Sequence, residues 1–201
     1  MIVLCNDDGF QADGIRAIYK ELVKSSEVVI VAPETEQSAM GHAITLTQPL
    51  KVRKVVENGK FVGYAVNGTP ADCIKIATTV LFEQPPSIVV SGVNQGGNLG
   101  TCAIYSGTVS AATEASIEGI KEIGFSLLSW DEKASMKTAK HFASIIVDKV
   151  LNNGLPEGVL LNVNIPDILL EKVKGIKVAR QADAKWVEEY DIRTDPMGKK
   201  Y

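Results

Sequence analysis

Residues 1–4 and 28–32 are short, unbroken apolar runs, and runs of that kind form strands buried on both faces of a parallel sheet. Between them, residues 14–24 set Ile15, Ile18, Tyr19 and Leu22 at helical spacing. Strand, loop, amphipathic helix and strand make a βαβ unit, and such units wind into open α/β sheets. In those sheets ligands sit beyond the carboxyl ends of the strands, which is where Asn6-Asp7-Asp8-Gly9 falls. Asp-Gly favours a turn on its own account, while two adjacent acids after a buried strand repel each other unless solvated or metal-bound. The pair therefore reads either as a turn or as the seat of a hard cation, and the rest of the chain must decide.

A chain of 201 residues, 45% apolar and 22% charged, has the material for one globular core with an appendage. Its net charge of −3 gives no electrostatic footprint for a long polyanion, which argues against nucleic acid as the main partner. Cys5, Cys73 and Cys102 are odd in number and lack CxxC spacing, so neither a disulfide framework nor a zinc site is expected. Two histidines, His42 and His141, are too few for histidine-rich metal chemistry. With no charged and apolar leader and no apolar run of bilayer length, the expectation is a cytoplasmic protein without a membrane partner.

Residues 51–56 and 61–66 read as a hairpin across Asn58-Gly59, a strong turn signal. Thr69-Pro70-Ala71-Asp72 has the form of a helix start, with Thr69 as N-cap, Pro70 at the first helical position and Asp72 reaching back as in a capping box; the helix should run to about Phe82. Residues 87–91 are a further buried strand, followed by the glycine-rich stretch Gly92-Val-Asn-Gln-Gly-Gly-Asn-Leu-Gly100. Helices are predicted over 106–120 and 132–151, the latter stopping at Gly154, and strands over 123–128, 159–165 and 176–179. The whole reads as a three-layer, Rossmann-like α/β fold: a mostly parallel sheet with helices on both faces over residues 1–180, and a β-rich arm beginning at 181–201.

Two places besides Asp7 and Asp8 carry chemistry. Ser106-Gly107-Thr108 opens a helix of small residues, where free N–H groups, two hydroxyls and the positive pole of the helix converge on an anion. Asn94 and Asn98 lie in the glycine-rich loop after a buried strand, so they should meet the aspartates on one sheet edge. Asparagine also tolerates left-handed turns, but its neutral oxygen suits Mg²⁺ or Mn²⁺ beside carboxylates. A P-loop is disfavoured by the absence of GKS or GKT, and a dinucleotide-dependent oxidoreductase by the absence of GxGxxG.

Taken in order, Asn6-Asp7-Asp8-Gly9, Val31-Ala32-Pro33, Ser38 with Gly41-His42, Gly68-Thr69-Pro70-Ala71-Asp72-Cys73, Ser91-Gly92-Val93-Asn94 with Gly96 and Asn98, and Tyr105-Ser106-Gly107-Thr108-Val109 span most of the first 120 residues. This ordered set resembles the SurE family of stationary-phase survival proteins, metal-dependent 5′/3′-nucleotidases and acid phosphatases. The resemblance implies that Asp7, Asp8, Ser38 and Asn94 ligate one Mg²⁺ or Mn²⁺, and that Asn98, Ser106, Gly107 and Thr108 hold a substrate phosphate. The implied reaction is hydrolysis of nucleoside 5′- and 3′-monophosphates.

Asp7 and Asp8 are the catalytic candidates, the nucleophile being a water oriented by Asp8 or, alternatively, an aspartate itself. His42 follows Ser38 in the same loop; histidine titrates close to neutral pH, which suits a proton donor to the leaving alkoxide, although a loop histidine also serves as a structural hydrogen-bonder. The rival to an enzyme is a nucleotide-binding protein that keeps the pocket without turnover. Ala39 stands where many relatives carry glycine. Relatives also continue beyond a motif like Asp195-Pro196-Met197-Gly198-Lys199-Lys200-Tyr201, whereas this chain stops inside it, so a shortened arm is expected. In the family that arm is exchanged between subunits, which with the aromatic segment 186–201 points to a homodimer or homotetramer.

Overall fold

The apolar runs become β1 (Ile2–Cys5) and β2 (Val28–Pro33), each buried throughout, with α1 (Asp13–Leu22) between them. The computed structural model describes residues 1–131, 133–185 and 187–201. There follow β3 (Val52–Glu57), β4 (Lys60–Val66), α2 (Pro70–Ile76), β5 (Ile88–Gln95), α3 (Cys102–Tyr105), α4 (Gly107–Ile117), β6 (Glu122–Leu128), α5 (Lys137–Asn153) and β7 (Leu161–Pro166). The seven strands form one sheet in the order β3-β4-β2-β1-β5-β6-β7. All pairs are parallel except β3 with β4.

That exception comes from the hairpin. Asn58 and Gly59 take φ of 49° and 75°, the left-handed pair that a two-residue turn between twisted strands requires. The capping box also forms: Asp72 N–H donates to Thr69 Oγ1 at 3.1 Å and Thr69 N–H donates to Asp72 Oδ2 at 2.9 Å. α2 then continues as a π-helical turn over Ala77–Leu81, ending at Phe82.

Because strand side chains alternate, β1 feeds both layers. Ile2 and Leu4 pack with Ile15, Ile18 and Val147 of α1 and α5, whereas Val3 and Cys5 pack with Cys73, Ile74, Ala111 and Ala115 of α2 and α4. Each buried Leu or Ile contributes about 1.5–3 kcal/mol. Gly14 lets the first turn of α1 lie directly on β5, since a Cβ there would stand 1.9 Å from the carbonyl oxygen of Val93.

The sheet runs outward in both directions from β1, to β2 on one side and β5 on the other. The crevice beyond the ends of β1 and β5 is therefore the strand-order switch at which open α/β sheets take ligands.

Several predicted boundaries change, among them that of the strand expected over 87–91, which runs from Ile88 to Gln95 and so carries Asn94 itself rather than leaving it in the loop. The helix expected from residue 132 starts at Lys137, residue 132 itself lying outside the described residues, and the strand expected from 159 starts at Leu161. Residues 176–179 form no strand, and among the described residues of the tail only the bridge Thr194–Lys200 pairs. The alternation was present, but Val178 and Ile176 remain exposed with no neighbouring strand beside them. The tail instead crosses the glycine-rich loop, where Gln181 Nε2 donates to the Gly100 carbonyl at 2.7 Å and Thr101 N–H donates to that of Ala184 at 3.0 Å. Of the expected aromatic segment, Trp186 lies outside the described residues.

Glu122 opens β6 at 1% exposure, and its Oε1 has no partner among the described residues. Burial pushes its carboxyl from 4.5 up to about 7, against a weaker pull from the Ser116 side chain. Between those pH values the folded chain holds a proton that the unfolded chain has released, so stability falls as pH rises. Below that window both states are protonated and the slope vanishes. Denaturant titrations should show Glu122→Gln gaining on the wild type as pH rises through the window; parallel curves would refute the assignment.

Candidate active site

Asp7 leaves β1 at 4% exposure and turns onto the N-terminus of α4. Thr108 Oγ1 donates to its Oδ1 at 2.6 Å, and Gly107 N–H donates to its Oδ2 at 3.1 Å. Burial raises the Asp7 pKa, opposed first by the Thr108 hydroxyl and then by backbone N–H groups. The fit leaves no room for a side chain at 107, because a Cβ there would come within 2.5 Å of Asp7 Cβ. The turn that delivers Asp7 is fixed by Asn6 Nδ2, which donates to Gly9 O at 3.0 Å, and by Gln37 N–H, which donates to Asp7 O at 2.7 Å.

Asp8 lies beside it, half-buried. Burial, then the charges of Asp7 and Glu36, push its carboxyl up to about 7, against the backbone N–H of Gln95. That N–H belongs to the end of β5, one residue after Asn94. Asn94 Nδ2 donates to the carbonyls of Gly96 at 2.7 Å and Gln95 at 3.3 Å, and its Oδ1 accepts no hydrogen bond among the described residues. Ser38 is exposed and donates to Glu36 Oε1 at 2.7 Å. Its loop holds Ala39 at φ 59°, a left-handed conformation that costs a β-carbon roughly 1–2 kcal/mol and that glycine takes freely.

Asn98 is buried, and its Nδ2 donates to Ser126 Oγ at 2.8 Å. Its backbone N–H donates to Asn164 Oδ1 at 2.9 Å and its carbonyl accepts from Asn162 Nδ2 at 2.8 Å. Ser106 caps α4, its Oγ accepting from Val109 N–H at 3.1 Å, so its own hydroxyl proton stays uncommitted among the described residues. His42 does not stand alone: its Nε2 is 2.7 Å from Oε2 of the buried Glu114, which also meets Lys75 Nζ at 2.6 Å.

The structure thus draws Asp7, Gly107 and Thr108 into one contact, sets Asp8 against the end of β5 next to Asn94, and places Ser38 beside it only through Glu36. Sequence reasoning missed Glu36, Glu114, Ser126, Asn162 and Asn164. Only the last two left a signal: in Leu161-Asn-Val-Asn-Ile165 both amides fall on one face of a strand. Among the described residues no three of His, Cys, Asp and Glu stand close enough to make a metal cluster alone. Two carboxylates with neutral oxygens nearby remain.

Fold and site define an open, doubly wound α/β protein with an acidic, oxygen-lined site at its strand-order switch. The chain belongs to the SurE family: the family model "Survival protein SurE" matches residues 2–188. The 5′-nucleotidase SurE of Syntrophobacter fumaroxidans is 50% identical over 200 residues, covering all of this chain and 80% of that protein. That of Christiangramia forsetii is 48% identical over 203 residues, covering 78% of its length. The crystal structure of the SurE protein from Aquifex aeolicus superposes with a TM-score of 0.86 at 42% identity, covering this whole chain and 79% of that one.

Gly107→Ala should destabilise the fold by about 1–3 kcal/mol in denaturant titration, since the added methyl must displace a buried carboxylate. A variant as stable as the wild type would mean that Asp7 does not seat on α4 as described.

Proposed function

We propose that this chain hydrolyses nucleoside 5′- and 3′-monophosphates with the aid of one divalent cation, Mg²⁺ or Mn²⁺. The shared name of its relatives, 5′-nucleotidase, makes it a phosphoric monoester hydrolase. The observation that carries the reading is the paired carboxylate at the sheet switch, with Asp7 buried on α4 and Asp8 pushed up to about 7. Two neighbouring acids held against their charge fit a hard cation, and oxygen donors are its preferred ligands.

Asp7, Asp8, Ser38 and Asn94 would hold the ion. When bound it supplies Lewis-acid stabilisation of phosphoryl charge and a template for the ester. The chain's own residues bind, orient and transfer protons around it. Asn98, Ser106, Gly107 and Thr108 receive the phosphate: the Ser106 hydroxyl has a free proton to donate, the Asn98 amide is held rigidly by Ser126, and the α4 pole favours negative charge. Asp8 orients a water for in-line attack on phosphorus.

The exposed apolar side chains of Val187, Tyr190, Ile192, Met197 and Tyr201 support a second copy of the chain as partner, in a homodimer or homotetramer. No helix among the described residues is long and apolar enough to cross a membrane.

Phosphate release from a panel of nucleoside monophosphates, with chelator-treated protein and then added Mn²⁺ or Mg²⁺, tests the proposal. Cation-dependent turnover that drops by about a hundredfold or more in Asp8→Asn is expected. Nucleotide binding without phosphate release would make the chain a binding protein instead.

A further inference from the structure

We propose that Glu114 is a positioning residue that, backed by Lys75, holds His42 as the proton donor to the leaving alkoxide; this rests on the phosphomonoesterase reading above. Glu114 is 2% exposed on α4, seven residues beyond Gly107, in a helix that also buries Thr108, Ser110 and the alanines at 111, 112 and 115. A carboxylate buried among alanines is costly unless it is paired. Here its two oxygens are divided, Oε2 to His42 Nε2 at 2.7 Å and Oε1 to Lys75 Nζ at 2.6 Å. Lys75 is raised above its ordinary value first by this contact, so it stays cationic opposite Glu114.

The contact is not needed to hold the loop. On one side of His42, Gly41 N–H donates to Tyr105 O at 3.1 Å. On the other, Thr69 Oγ1 donates to Ala43 O at 2.6 Å, and the N–H and hydroxyl of Thr45 donate to Asp72 at 2.9 and 2.6 Å. Four bonds already fasten the segment. The first of them ties the backbone just before His42 to Tyr105, the residue before Ser106.

With Nε2 committed to Glu114, Nδ1 is the one ring nitrogen left to face a substrate. A donor at Nδ1 needs a proton on each ring nitrogen, with Nε2–H given to the Glu114 carboxylate, which orients the ring as an acid does beside a catalytic histidine. As water adds to phosphorus and the ester O–P bond breaks, the Nδ1 proton passes to the departing oxygen, giving the nucleoside hydroxyl and neutral histidine. Solvent restores that proton through the partly exposed ring edge. The other ionisable groups facing the relay are Glu118, 3.9 Å from Lys75 Nζ, and Asp72, which raises Lys75 more weakly.

Leaving-group dependence tests the assignment. A nucleoside 5′-monophosphate expels an alkoxide that needs a proton, whereas p-nitrophenyl phosphate expels a phenolate that does not. His42→Asn and Glu114→Gln should each lower kcat on the nucleotide by about a hundredfold with KM little changed, and lower turnover of the aryl ester less than about threefold. Equal losses on both esters, or none on either, overturn the proposal. Rates are compared per folded molecule, with the folded fraction of each variant read by circular dichroism, so a loss through unfolding is not counted as a loss of chemistry. A wild-type chain that turns over neither ester overturns the enzyme reading itself, and with it this assignment.

Discussion

The Asp7 carboxylate on the N-terminus of α4 is the contact on which the rest of the site depends. It joins the first strand to a helix 100 residues later, and both of its oxygens are committed to that helix. Burial opposes its charge, while hydrogen bonds to a charged group contribute about 1.5–3 kcal/mol each and the helix pole adds up to ~2 kcal/mol. The arrangement stands only because residue 107 lacks a side chain and Thr108 offers its hydroxyl towards the strand. Thr108 also lies 3.7 Å from where a Cβ on Gly124 of β6 would project, so the same turn sets α4 on its sheet neighbour.

From that anchor the site divides between two walls. β1, β5 and the loop after β2 bring acids and neutral oxygens: Asp8, Glu36, Ser38 and Asn94. The other wall is amide and hydroxyl, with Asn98 fixed by Ser126 of β6 and by Asn162 and Asn164 of β7. Parallel strands deliver all of these to one edge, which an antiparallel meander would not do.

Features set by neighbouring residues were legible in the sequence. The βαβ opening, the Asn58-Gly59 hairpin and the Thr69–Asp72 box each depend on residues within a few positions, and each formed. The partners of the site residues were not legible, because Asp7 with Thr108, Asn98 with Asn164 and His42 with Glu114 are separated by 101, 66 and 72 positions. A lone glutamate in a helix of alanines gives no clue until the fold sets a histidine and a lysine against it. The strand expected over residues 176–179 failed for the converse reason: alternation makes a segment able to pair, but pairing needs an edge, and the described chain offers none beside it.

The electrostatics of the pole also order the events of the proposed reaction. A phosphate dianion approaching α4 meets a helix end whose strongest donors are already given to Asp7, with Asp8 and Glu36 close behind. Without a cation, the carboxylates and the phosphate compete for the same positive pole. Were a divalent cation held by the proposed ligands Asp7, Asp8, Ser38 and Asn94, it would neutralise the acidic wall without a third strong anion in the ligand set. Phosphate affinity and cation affinity should therefore be coupled, each raising the other by the same factor. The neutral ligands matter as much as the acids: a carboxylate in place of Asn94 would bind the cation more tightly and leave less of its charge for the phosphoryl oxygens.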